Sequence, residues 1–576
     1  MNFYFRIQKL LLILLSYISI TPLAVFAQSA PPPRVIIPPE IPRKVEETIP
    51  QPFPPPTITP TPMAPTTPII PSPRSYNPPE TTFPSGESFF VKEIQVKGYS
   101  VLENEIIKLK RSVEQKKKIT FEDLLELRTQ ITQLYINKGY ITSGAFIPNN
   151  QDLTNGIVQI QIIEGELEGI LISGLKRLQS GYVRSRIERY TGKPLNKNRL
   201  EEALQLLQLD PLIERVNAEL TAGSISGTNI LQMKISESSA FHAGVAFANN
   251  QSLSIGSEQG TIFVAHDNLL GFGDKLSAEY GITEGFNIYD VSYSVPINAL
   301  DGAISVRYSN SESRIIESQF RELDIRSEAE TLSFSIRQPL VRRPNSEFAL
   351  SLAFDLRRSQ TFLLNDIPYS FTSGSEDGES KVTVIRFSQD WLQRNTTSVL
   401  AARSQFSLGI GALDATVNNT GTDGRFFSWL GQFQWVQRLS PRILMLAKIN
   451  AQLTGDSLLS PEKITIGGVE TVRGYRQNQL VADNGVIGGV EIRIPLTSNV
   501  ENLQLVPFFD IGTLWNNSGS NLDHQTLASL GLGLQWQPFN GLALRADYGI
   551  PLIGASDSGS SLQDNGFNFS VRYQPF

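Results

Sequence analysis

The residues with the clearest chemistry are one arginine and a carboxylate that could meet it. The stretch "IGGVETVRGYRQN" (466–478) sets Val472, Arg473, Gly474 and Tyr475 within a run of strand-like sequence. Downstream, "QLVPFFDIGTLW" carries Asp510 on the same parity as Gln504, Phe508 and Gly512, with Leu505, Phe509 and Ile511 on the other. Glu491 in "GVEIRIPL" and Asp547 in "LRADY" also alternate against apolar neighbours: Val490, Ile492 and Ile494 in the first, Leu544, Ala546 and Tyr548 in the second. What these residues can do is form a charge-assisted pair, because a planar guanidinium engages a carboxylate through two parallel hydrogen bonds. An arginine taken out of water without such a partner is costly, and a carboxylate facing it removes that cost. Gly474 permits a tight tip beside the arginine. A solvated arginine on an external loop fits the same residues, and residue chemistry alone leaves that alternative open.

Little else points to reaction chemistry. The 576 residues include no Cys, three His (His242, His266, His524) and a formal net charge of −6. The histidines are far apart and no metal cluster of usual spacing is present. No Ser/His/Asp pattern, P-loop or dinucleotide fingerprint is found, and no cofactor is called for. The charge is too mild to argue for nucleic acid as a partner. Aspartate and glutamate are plentiful, so a carboxylate enzyme stays open on composition, but no constellation supports one.

The elements that must position these residues begin with an exported N-terminus. Arg6 and Lys9 precede an apolar run of about 11 residues, Leu10 to Ile20, and Val25-Phe26-Ala27 resembles a cleavage site. The run is well short of the ~20 residues of a spanning helix, so residues 1–27 read as a signal peptide. Residues 28–87 are an extended linker, since 20 of the chain's 35 prolines fall in 29–86 and such a segment packs no core. No convincing helix is visible there.

Two compact modules follow. In 88–166, "FFVKEIQVKG" alternates as a strand, "LENEIIKLKRSV" reads as a helix, and Thr120 to Lys138 is an amphipathic helix capped by Thr120 with Asp123 and ended by Gly139. "YITSGAFIP" and "GIVQIQIIEG" are then two strands. The order β-α-α-β-β recurs in 167–239, with helices at 179–192 and 196–209.

From 240 to 576 the helical period disappears. About 16 segments alternate at period two, charged on one face and aliphatic or aromatic on the other, which is the pattern of a barrel with lipid outside and water inside. Short connections near 267–273, 298–301, 341–346, 392–397, 438–442, 497–501 and 538–541 alternate with mostly longer ones, the longest being 455–483. The fold class is two tandem α+β modules followed by a 16-stranded antiparallel transmembrane β-barrel with strands of ~10 residues.

With these motifs together, the chain from Phe89 onward resembles the two-partner secretion transporters of the ShlB/FhaC/HecB type, within the outer-membrane assembly-factor superfamily. "YINKGYITSGAFIPNNQDLTNGIVQIQIIEG" resembles the family's first polypeptide-transport-associated (POTRA) module, the "VRGY" stretch resembles its sixth-loop tip, and "PFFDIG" resembles its barrel-strand motif. The resemblance implies a transporter in the outer membrane of a Gram-negative cell, embedded in its lipid, with linker and modules in the periplasm. It implies a partner too: a large secreted exoprotein whose N-terminal secretion domain the modules capture. Val472, Arg473, Gly474 and Tyr475 become the loop tip, and Asp510, with Phe508 beside it, the lumenal partner of Arg473. Leu134, Tyr135, Tyr140, Ile141, Phe146 and Ile147 match the client-binding edge, where an extended client would add as a strand. Phe576 matches the C-terminal barrel signal, although Pro575 shifts it out of the alternation of Phe567, Phe569, Val571 and Tyr573. Two alternatives have other uses for a barrel. An assembly factor that inserts other barrels usually carries more modules, and a passive porin leaves both modules without a role.

Overall fold

A computed structural model describes residues 44–45, 91–116, 118–149, 151, 155–364, 366–500, 502–518, 525–554 and 559–575. The signal-peptide reading, most of the linker reading, His524 and Phe576 lie outside the described residues.

The first module runs β1 (Glu93–Lys97), α1 (Glu103–Glu114), α2 (Phe121–Asn137), β2 (Gly144–Phe146) and β3 (Ile157–Ile163). Its sheet order is β1-β3-β2, with β1 and β3 parallel. Helix α2 starts where Thr120 and Asp123 cap each other: the Asp123 N–H donates to Thr120 Oγ1 at 3.2 Å and the Thr120 N–H to Asp123 Oδ2 at 2.8 Å. Leu124, Leu127, Ile131 and Tyr135 recur every three to four residues and are buried. They meet Val158, Ile160 and Ile162 on one face of β3. Gly139, at φ +90°, ends the helix.

Thr120→Ala is expected to cost about 1 kcal/mol at this terminus, read as faster amide exchange in the first turn of α2. Lys116, followed by the Thr120 N–H, holds the Asp123 carboxyl down from its ordinary 3.8 to about 2. Because the folded value is the lower one, this support is full above pH ~4 and fades as pH falls towards ~2. Protection of that turn, corrected for the intrinsic exchange rate, should fall over that window in the full chain.

The second module runs β4 (Glu166–Ser173), α3 (Ser180–Glu188), α4 (Lys197–Gln208), β5 (Ile213–Ala222) and β6 (Thr228–Glu237). Its sheet order is β4-β6-β5. Asn196 caps α4 through Oδ1, which accepts from the Asn198 N–H at 3.0 Å.

The remaining strands are β7 (Phe241–Ala248), β8 (Gln259–His266), β9 (Lys275–Ile282), β10 (Phe286–Pro296), β11 (Ala303–Arg314), β12 (Arg326–Arg343), β13 (Ser346–Leu363), β14 (Ile367–Pro368), β15 (Glu379–Arg394), β16 (Ser398–Ile410), β17 (Phe426–Arg438), β18 (Leu444–Thr454), β19 (Ile464–Ile466), β20 (Leu480–Ala482), β21 (Asn484–Pro495), β22 (Leu503–Trp515), β23 (Gln525–Phe539), β24 (Leu542–Pro551) and β25 (Phe567–Tyr573). All but β19 and β20 join one closed barrel. Leaving out the two-residue β14, 16 antiparallel strands make its wall. Burial inverts along them as a lipid-facing barrel requires: Val490 is 42% exposed beside Glu491 at 6%, and Tyr548 is 52% exposed beside Asp547 at 2%. Strands β12 and β13 reach 18 residues each, well beyond the ~10 expected. Their ends opposite the short turns carry Glu328, Glu330, Arg357 and Arg358, polar on both faces, so these strands continue past the lipid band.

The second module sits on the short-turn end of the barrel and touches three consecutive turns. The Gln179 N–H donates to the Gly271 carbonyl at 2.9 Å. Arg186, whose guanidinium lies 3.3 Å above the Tyr182 ring, pairs with Asp301, and Asp301 pairs in turn with Arg342. The Tyr190 hydroxyl donates to the Arg342 carbonyl at 2.6 Å.

Candidate functional site

Loop six joins β18 to β21 through residues 455–483 and turns into the lumen. Its arms zip together as β19 and β20, from Ile464↔Ala482 to Ile466↔Leu480. Ile466, Val472, Tyr475 and Ala482 then bury themselves against Ile487, Leu514 and Leu527 of the wall. The apolar residues of the loop therefore dock its tip, and the polar ones have to find partners there.

Arg473 is 2% exposed. Its Nε donates to Asp510 Oδ2 at 2.7 Å and its Nη2 to Asp510 Oδ1 at 3.0 Å, a forked pair. Its Nη1 donates to Glu491 Oε2 at 3.1 Å and lies 3.8 Å from Asp547 Oδ1. The Arg473 Cζ sits 3.6 Å from the centroid of the Phe508 ring, a cation–π contact in a site closed to water. The arginine thus bridges β21, β22 and β24. Glu491 and Asp547, read from sequence only as inward-facing, are shared with other cations: Arg493 with Glu491 at 2.8 Å, Arg545 with Asp547 at 2.6 Å. Lys448 donates to the Glu470 carbonyl of the loop at 2.7 Å.

Two flanking residues complete the seat. Gly474, at φ +89°, lies so close to Gly549 of β24 that a Cβ there would stand 2.8 Å from the Gly549 carbonyl carbon. The Tyr475 hydroxyl lies 2.8 Å from the carbonyl oxygens of Ala528 and Ile553. Chemically the arrangement can hold a loop inside a conduit. Among the described residues no group of three or more His, Cys, Asp or Glu could hold a metal.

This geometry agrees with what comparison finds. The family model described as haemolysin secretion/activation protein ShlB/FhaC/HecB matches residues 227–536, more than half of the chain. The chain belongs to this family. The ShlB-type POTRA domain matches residues 89–165 of this family member. An outer membrane transporter CdiB of Dickeya dadantii is 24% identical over 431 residues, 71% of this chain and 73% of that protein. A heme/hemopexin transporter protein HuxB of Haemophilus influenzae is 22% identical over 467 residues, 78% of this chain and 80% of that one. Among solved structures, CdiB from Escherichia coli superposes with a TM-score of 0.66 at 21% identity, over 87% of this chain and 93% of that one, a likeness of fold. The family member is an outer-membrane protein, with its POTRA modules on the periplasmic side.

The client-edge residues read from the sequence divide. Tyr135 and Ile147 are core residues rather than edge residues, at 0% and 8% exposure. The Tyr135 hydroxyl donates to Glu164 Oε1 at 2.7 Å, inside the module. Leu134 and Tyr140 are half-buried and pack on that core, and Ile141 and Phe146 are half-buried outside it. The expected strand over 140–147 shrinks to the three residues of β2, and its Ala145 N–H is held by Thr132 Oγ1 of α2 at 3.0 Å. Ile136, 41% exposed on α2, is the apolar residue that the sequence reading passed over.

The linker also differs at one point. Lys44 and Val45 are helical and buried, and Lys44 Nζ lies 3.0 Å from Glu317 Oε1, on the connection between β11 and β12. Residues 43–49 are the proline-free interval between Pro42 and Pro50, so nothing in that interval forbids a helix.

Proposed function

We propose that this chain exports a large partner exoprotein across the outer membrane, its POTRA modules receiving the client's N-terminal secretion domain and its barrel passing the chain outward. The observation that carries this reading is loop six, folded into the lumen and fastened there by Arg473. A conduit with a fastened internal loop suits a transporter that opens for a particular passenger, and two periplasmic modules suit a passenger that must be recognised before entry. The role is that of a carrier rather than a catalyst. Ile141, Phe146, Leu134 and Tyr140, with the half-covered edge of β2, are the surface on which an extended client would first settle. The relatives are named for transport, including of heme/hemopexin and of hemolysin, which supports a dedicated secreted passenger. Deleting the gene should remove one large exoprotein from the culture medium and leave the other outer-membrane barrels at their normal level. An unchanged set of secreted proteins would sink the reading. A general loss of barrels would transfer the chain to barrel assembly.

A further inference from the structure

The root of loop six carries a second buried ionic cluster, on another part of the wall from the tip. Glu462 is 3% exposed. Its Oε1 accepts from Arg386 Nη2 at 2.8 Å and from Arg357 Nη1 at 2.9 Å, and Oε2 accepts from Arg386 Nη2 at 3.0 Å. Arg357 also donates to the Pro461 carbonyl. Both arginines belong to the wall, Arg357 on β13 and Arg386 on β15. Arg386 is fixed from behind, its Nε donating to Asp355 Oδ2 at 2.6 Å and its Nη1 to Ser407 Oγ at 2.9 Å. Leu458 and Leu459 reinforce the root by packing with Val382 and Val384, which share the inward face of β15 with Arg386.

The cluster is balanced: Arg357 and Arg386 against Asp355 and Glu462. Only Glu462 comes from the loop. If the root moves away, two buried guanidiniums face one carboxylate, a state that needs new acceptors or water. The tip's partners lie on β21, β22 and β24, and β16, β17 and β18 stand between β15 and β21 in the wall. The chain between Glu462 and Arg473 therefore crosses the lumen with an ionic fastening at each side.

We propose that Glu462, seated on Arg357 and Arg386, is a second anchor of loop six, and that the conduit clears only when this root anchor releases, the tip staying seated on Asp510. Glu462 is a positioning residue in this scheme. The proposal deepens the export reading and rests on it for its biological meaning, but its test does not. The chain has no cysteine, so introduced thiols are unambiguous. Asp423 and Leu458 form an isolated β-bridge between the connection after β16 and the loop root, a spacing that suits a disulfide.

The experiment measures current through the purified full chain in planar bilayers. Glu462→Gln should raise the open probability at least tenfold, and Glu462→Asp, which keeps the charge, should stay within about threefold of the parent. The Asp423→Cys/Leu458→Cys protein should be held closed when oxidised and open on reduction at least as readily as the parent, since Leu458 no longer packs the root. Parental currents from Glu462→Gln, or an oxidised double-cysteine protein that opens as its own reduced form does, would each overturn the root anchor. The disulfide arm leaves Glu462 intact, so it decides the matter even if Glu462→Gln fails to fold. Neither arm needs a client, so failure here is separable from failure of the export reading, which the secreted proteins report.

Discussion

Arg473→Ala is expected to stop export while the barrel stays folded in the membrane. Asp510 is fully buried and takes both of its forked hydrogen bonds from this one side chain. Glu491 and Asp547 keep Arg493 and Arg545, so the loss falls chiefly on Asp510. Removing one partner of a buried pair costs about 3–5 kcal/mol, enough to favour an undocked tip by about 100-fold or more. The wall has no such dependence, because its strands are paired through their own backbones over long registers, as between β22 and β23. The exoprotein in the medium should fall by about two orders of magnitude. The heat-modifiable mobility of the folded barrel should stay unchanged. Arg473→Lys should recover only part of the activity, since an ammonium cannot make the fork or lie flat on Phe508. Full export by the alanine variant would remove the pair from the mechanism.

Gly549→Val should give the same phenotype without touching a charge. A Cβ on Gly549 would stand 2.7 Å from both the nitrogen and the Cα of Gly474. Both atoms are backbone, so no side chain can swing aside. Nor can Gly474 give way in place, because its own Cα and nitrogen are the atoms that the new Cβ meets. The tip must lift, and lifting it separates Arg473 from Asp510. Overpacking of this kind costs about 1–3 kcal/mol, so export should drop by about 5-fold to 150-fold. Ile550→Val, one residue along on the lipid-facing side at 53% exposure, is the matched control and should export normally. A Gly549→Val protein exporting at the control rate would mean that the tip is not seated against β24 when the transporter works.

Much of the wall was legible because its physics is periodic. A residue such as Asp547, charged between Ala546 and Tyr548, has only one face on which it can avoid lipid, and parity names that face. Asp510 was legible for the same reason. Glu462 was not, because "SPEKITIGG" reads like any polar loop and its partners Arg357 and Arg386 are more than 70 positions away in the chain. Tyr135 and Ile147 went astray because an aromatic or aliphatic residue in a helix or strand looks identical whether it faces a client or the module's own core. Only the Glu164 carboxylate waiting for the Tyr135 hydroxyl distinguishes the two cases. The lengths of β12 and β13 escaped because alternation marks the lipid band and goes quiet where both faces become polar.

The seat of the second module has a mechanical consequence. A module tethered only by the short segment between β6 and β7 could swing like a door. Resting on three consecutive turns through Gly271, Asp301 and the Arg342 carbonyl, it is braced like a tripod instead. Torque applied by an incoming chain is spread across the strands those turns join, β8 to β13, and does not collect at one hinge. Those three contacts hold the module at one bearing to the short-turn mouth of the barrel.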